Sequence, residues 1–133
     1  VSGLGYEHQV RFLNNILLHQ ADVDSVNHDK WADFLTNNCR VLATINETDD
    51  ILDYSDIINP DRLGNTLENL NSNIIKYFNF GRIPDANDEH RLWISPTINN
   101  DNANTFFASV FTGKKVKTGH LEFDSKRNCF HVE

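Results

Sequence analysis

Ala21-Asp22-Val23-Asp24-Ser25-Val26-Asn27-His28-Asp29-Lys30-Trp31-Ala32-Asp33-Phe34-Leu35 sets four aspartates and a histidine between two apolar patterns of helical period. Upstream, Tyr6, Val10, Leu13, Ile16, Leu17 and Gln20 recur at helical spacing and predict a first helix over residues 5–24. Downstream, Asn27 is placed to cap a second helix whose apolar face is Trp31, Phe34 and Leu35. The quoted stretch is thereby read as the end of one helix and the start of the next. Acidic groups at the edge of an apolar surface have an ordinary use, solvation, and a chemical one, proton transfer in a pocket.

Working outward, Cys39 to Ile45 is β-branched and alternating after the polar break Thr36-Asn37-Asn38, which predicts a strand. Asn46 to Asp50 is a polar turn, and Ile51 to Ile58 a second short extended segment. Asn59-Pro60 opens a third helix, with Leu63, Leu67, Leu70, Ile74 and Phe78 as its buried stripe and Gly81 as its C-cap. Pro84 to Glu89 reads as loop, and Arg91 to Ile98 as an edge or bulged strand broken by Pro96. Thr105 to Thr112, Val116 to Phe123 and Cys129 to Glu133 complete an antiparallel meander with turns between. Helices lying on a curved antiparallel sheet make an α+β fold, a cone whose internal cavity is a default small-molecule site.

The chain has 133 residues, enough for one domain spanning 1–133 with a buried core. Its hydrophobic fraction of 39% and charged fraction of 23% are those of a globular protein. A net charge of −7 argues against nucleic acid, whose phosphates demand a basic stripe. The cations Lys114, Lys115, Lys117, Lys126 and Arg127 near the C-terminus read as solvated hairpin tips. No apolar run approaches a membrane span and no leader pattern is visible, so a cytoplasmic location is expected. Cys39 and Cys129 lack partners at zinc or redox spacing and read as small apolar residues. Asn46-Glu47-Thr48 matches a glycosylation sequon, as chance allows in an Asn-rich chain. No phosphate-binding glycine loop occurs, so no cofactor is expected.

Three places carry a resemblance to a family. They are Ala21 to Trp31; His90, opening a strand after the third helix; and Asn100-Asp101-Asn102-Ala103-Asn104-Thr105-Phe106-Phe107-Ala108-Ser109 followed by Thr118-Gly119-His120-Leu121-Glu122-Phe123 and Cys129-Phe130-His131-Val132. In order and spacing they resemble the nuclear transport factor 2-like superfamily, within it the SnoaL-like group of polyketide cyclases and scytalone dehydratase relatives. The resemblance implies the α+β cone, a homodimer and, in catalytic members, cofactor-independent chemistry on a small apolar molecule. It sets Asp24 at the position of a catalytic Asp and His90 at that of a catalytic His. A second His expected in the following strand is replaced by Phe107-Ala108-Ser109-Val110, and Tyr54 is the only tyrosine near the place of a water-holding one. These departures argue against scytalone dehydratase itself.

The chemical reading is an Asp24–His90 acid–base dyad, the carboxylate fixing the imidazole tautomer so that its other nitrogen moves a proton. Trp31, Tyr54 and Phe107 are expected to contact the substrate, a polyketide-like or terpenoid-like compound undergoing dehydration, isomerisation or cyclisation. The ordinary reading keeps Asp24 and His90 as surface residues, and the protein as a non-catalytic ligand-binding or protein-interaction module of the same fold. An acidic protein that binds a basic partner is a third reading. In the last hairpin, alternation with Leu121, Phe123, Phe130 and Val132 inward leaves His120, Glu122, His131 and Glu133 on the other face; two His and two Glu are a donor set for a divalent metal, but without diagnostic ligand spacing the face reads as a solvated or dimer-facing sheet surface.

Overall fold

Ile16-Leu17-Leu18 lies in a strand, half-buried and packed against a core on each side, and this decides the architecture. The computed structural model describes residues 14–49, 61–83 and 99–133. Strand β1 is Asn15–His19, β2 Arg40–Ile45, β3 Lys76–Asn79, β4 Glu122–Asp124 and β5 Cys129–His131. They form one sheet in the order β1-β2-β3-β5-β4. The β1–β2, β2–β3 and β3–β5 pairs are parallel, with Ile16 opposite Val41, Ala43 opposite Tyr77 and Asn79 opposite His131. Only β4 and β5 pair antiparallel, Asp124 lying opposite Cys129.

Parallel strands need long crossovers, and those crossovers cover the sheet on both faces. Helix α1 (His28–Ala32) continues into a 3₁₀ turn, Asp33–Asn37. With Leu63, Leu67 and Leu70 it packs on the face made by Val41, Ala43, Ile45, Tyr77 and Cys129. Helix α2 (Asp101–Phe111) packs Ala103, Phe106, Phe107 and Val110 on the opposite face, against Leu42, Phe78, Phe80 and Val132. Phe78 sits 4.7 Å from the ring of Phe106 and 5.4 Å from that of Phe130.

The expected mixture of helix and strand is present; the expected pairing is not. An antiparallel sheet, which a cone requires, is overturned by three parallel pairs. The first helix, over 5–24, is replaced in its described part by β1: Ile16 and Leu18 join one core and Leu17 the other, so an apolar run that also fits a helical period is satisfied as a strand. The helix expected after Pro60 is reduced over 61–80 to a single 3₁₀ turn, Leu63–Asn65. Leu63, Leu67 and Leu70 are buried, but from turns; Asn69 is left-handed at φ 62°, and Phe78 and Gly81 belong to β3 and its exit. Conversely, the strand expected over 105–112 is the body of α2. Asn100 Oδ1 accepts from Ala103 N–H at 2.9 Å at its start, and Gly113, at φ 72°, ends it. The expected strand over 116–123 is reduced to β4. The strand expected at residues 39–45 is present as β2, and Asp124 to Asn128 turns into β5 as expected. The segments 51–58 and 91–98 lie outside the described residues. Among the described residues no helix is long and apolar enough to cross a membrane.

Candidate functional site at the carboxyl edge

In an open parallel sheet, ligands are bound beyond the carboxyl ends of the strands, where the loops of neighbouring strands meet. Here those ends are Gln20 after β1, Asn46 after β2, Asn79 in β3 and His131 in β5, all buried. The loop after β2 folds back at once: Asn46 Oδ1 accepts from Thr48 N–H at 3.2 Å and from Thr48 Oγ1 at 2.8 Å, and Asp49 N–H donates to Asn46 O at 3.1 Å. This turn carries Asp49 inward until it is 0% exposed. Gln20 Nε2 donates to Asp49 Oδ2 at 2.9 Å, tying the exits of β1 and β2 together. Gln20 is itself pinned, its N–H donating to Thr44 O at 3.1 Å from a left-handed φ of 40°.

The backing of this corner is Gly64. A Cβ there would stand 2.2 Å from the Gln20 carbonyl carbon, so only glycine lets the two backbones meet. Gly64 N–H donates to Ala21 O at 3.0 Å and Asn46 N–H to Gly64 O at 2.8 Å. A buried carboxylate is expensive unless hydrogen-bonded, and Gln20 supplies such a bond to Asp49.

Asp24, the acid expected to be catalytic, is placed differently. It accepts from Arg62 Nη1 at 2.6 Å, while Asp22 Oδ1 lies 2.8 Å from Arg62 Nε. Both aspartates are more than half exposed and the guanidinium is buried. The trio clamps the loop after β1 to the segment before Leu63. His90 and Tyr54 lie outside the described residues. Trp31 is 45% exposed on α1, whereas Phe107 is buried on α2 with its ring 5.6 Å from His19. The two helices cover opposite faces of the sheet, so Trp31 and Phe107 do not line one pocket. Phe34, expected in an apolar face, is 73% exposed; Ala32 and His28 are the buried residues of α1.

His28 donates or accepts at Tyr77 Oη, 2.6 Å away, and Ser72 N–H donates to the same oxygen at 3.2 Å. Burial pushes the Tyr77 phenol up to about 12. Asn46, the sequon residue, is fully buried with its amide oxygen engaged by Thr48, so the folded chain offers no glycan acceptor there. At the opposite edge a cavity of about 240 Å³ opens between Thr36, Arg40, Leu42, Ile74, Lys76 and Lys115.

Gln20 and Asp49 were not singled out by the sequence; the available signal was a strand-like run closed by Asn46-Glu47-Thr48-Asp49. Set against family models, curated proteins and solved structures, the chain matches none.

Proposed function

We propose that the carboxyl edge carries an acid–base site for a small organic molecule, with Asp49 as the buried carboxylate and His90 as its imidazole partner. The observation that carries this reading is Asp49, 0% exposed at the exit of β2 and held by Gln20 Nε2 at 2.9 Å. Between β3 and α2 the sequence contains one histidine, His90. Because β2 and β3 are parallel neighbours, the chain leaves both strands from the same edge. The sequence-derived Asp–His pair is kept in kind, with Asp49 replacing Asp24, whose carboxylate is engaged by Arg62.

A carboxylate that accepts from one ring nitrogen leaves the other free to take a proton from water or a hydroxyl. A base that activates water directly serves hydrolysis of an acyl bond, the water oxygen attacking the carbonyl and the alcohol leaving with the proton. Asp49→Asn and His90→Ala are expected to lower kcat/KM on a panel of short-chain esters by about 10²-fold or more, the range of general acid–base catalysis. Asp24→Asn is expected to leave it unchanged. Ester hydrolysis that survives His90→Ala overturns the reading.

A further inference from the structure

The β4–β5 hairpin brings together three side chains of different donor type. Cys129 and His131 alternate onto the same face of β5, and Asp124 stands directly opposite Cys129 in the antiparallel pair. The thiol sulfur, an imidazole nitrogen and a carboxylate oxygen all lie within 4.8 Å of one another. Cys129 and His131 are buried, and the Asp124 side chain is 26% exposed, which leaves an entry path from solvent. This differs from the sequence expectation that His131 faces water beside Glu122 and Glu133.

The geometry points to a divalent metal site, best suited to zinc, formed by Cys129 Sγ, His131 Nε2 and Asp124 Oδ2. A mixed S, N, O donor set selects a borderline ion over calcium or magnesium. Zinc bonds of about 2.0–2.3 Å put tetrahedral ligand atoms about 3.5 Å apart, so closing the site needs a shift on the order of 1 Å. The hairpin already holds the carboxylate: Asp124 Oδ1 accepts from Lys126 N–H at 3.0 Å and Arg127 N–H at 3.1 Å, which leaves Oδ2 directed at His131 Nε2, 3.3 Å away. Three protein ligands leave a fourth position for water.

Behind the imidazole stands Asn79. Its Oδ1 accepts from Gly81 N–H at 2.9 Å, so its Nδ2 donates to His131 Nδ1 at 3.1 Å. Metal on Nε2 moves the ring proton to Nδ1, and the Asn79 amide must then turn its oxygen to that proton, giving up the bond from Gly81 N–H. The thiol proton leaves to solvent. Asn79→Asp supplies an acceptor for both Gly81 N–H and Nδ1–H, the carboxylate–histidine–metal arrangement that fixes such ligands.

Titration of the full chain with Co²⁺, displaced by Zn²⁺, tests the site. The expected result is one equivalent bound, with tetrahedral visible bands and a sulfur-to-cobalt charge-transfer band. Cys129→Ser removes that band and Cys39→Ser keeps it. Asp124→Asn, at the end of β4 where Asn still accepts from Lys126 N–H and Arg127 N–H, weakens binding about tenfold or more, and Asn79→Asp tightens it by about tenfold. If Cys129→Ser does not fold, the Asp124 and Asn79 variants decide. Absence of the sulfur band, its loss in Cys39→Ser, or affinity indifferent to Asp124→Asn overturns the site. Asp49→Asn and His90→Ala bind cobalt as the wild type does, so the outcome is independent of the proposed hydrolytic reading.

Discussion

The two edges of the sheet are built from the same strands and differ in every polar respect. At the carboxyl edge, Gln20, Asn46, Asp49, Asn79 and His131 are buried, and their side chains are spent on neighbouring turns and on one another. At the amino edge, β2 and β3 begin with Arg40 and Lys76, both exposed, around a cleft with an apolar floor. Arg40 reaches Asn15 Oδ1 at 2.8 Å and Gly113 O at 2.8 Å along the surface. Polar groups at one edge are desolvated and fixed; at the other they are long, cationic and hydrated.

The largest expected difference between the edges is catalytic. Asp49→Asn is expected to lower ester turnover by about 10²-fold or more, while the double change Lys76→Ala, Lys115→Ala leaves it unchanged; equal losses in steady-state assays would erase the distinction. Next in size is packing at the corner that carries Asp49. Gly64→Ala drives a methyl into the Gln20 backbone, with contacts of 2.2–2.6 Å, and is expected to cost about 3 kcal/mol in denaturant unfolding. Gly113→Ala, at φ 72° near the amino edge, is expected to cost about 1–2 kcal/mol.

Between the edges, Tyr77 supplies a pH test. Its phenol is raised by burial from 10.0 to about 12, so the folded state holds the proton more tightly than the unfolded chain. Stability is whole below pH 10.0 and falls as pH rises toward about 12, by about 2–3 kcal/mol in all. Tyr77→Phe is expected to flatten that alkaline limb. It also costs about 1–3 kcal/mol at neutral pH, because Ser72 N–H and His28 Nε2 lose their partner. The smallest effect belongs to the exposed clamp: Asp24→Asn is expected to change stability by no more than about 1 kcal/mol, and a larger loss would make Arg62 a keystone of the carboxyl edge.

What the sequence made legible follows from how each segment is buried. Residues 39–45 are β-branched, follow a polar break and end in a polar turn, so their strand was readable. The Ile16-Leu17-Leu18 run is covered on both faces, and such a run satisfies a helical period as well as an extended one. Over 105–112 the phenylalanines, Thr105 and Val110 favour a strand by composition; the spacing of Ala103, Phe106, Phe107 and Val110 with the Asn100 cap makes a helix. The leucines after Pro60 were assigned correctly to the core, but Asn69 and the contact of Gly64 with Gln20 break the helix that would have presented them. At the proposed site, His90 stands out in the sequence as the one histidine between β3 and α2. Asp49 does not, because burial of one aspartate among many is a property of the turn that carries it, and the aspartates of 21–35 offered a more conspicuous cluster.

Imidazole NMR of the full chain tests the proposed Asp49–His90 pair without a substrate. The account predicts that Asp49→Asn lowers the pKa of His90 and shifts its ring-nitrogen signals, while Asp24→Asn does neither. A His90 that titrates identically in wild type and Asp49→Asn would contradict it.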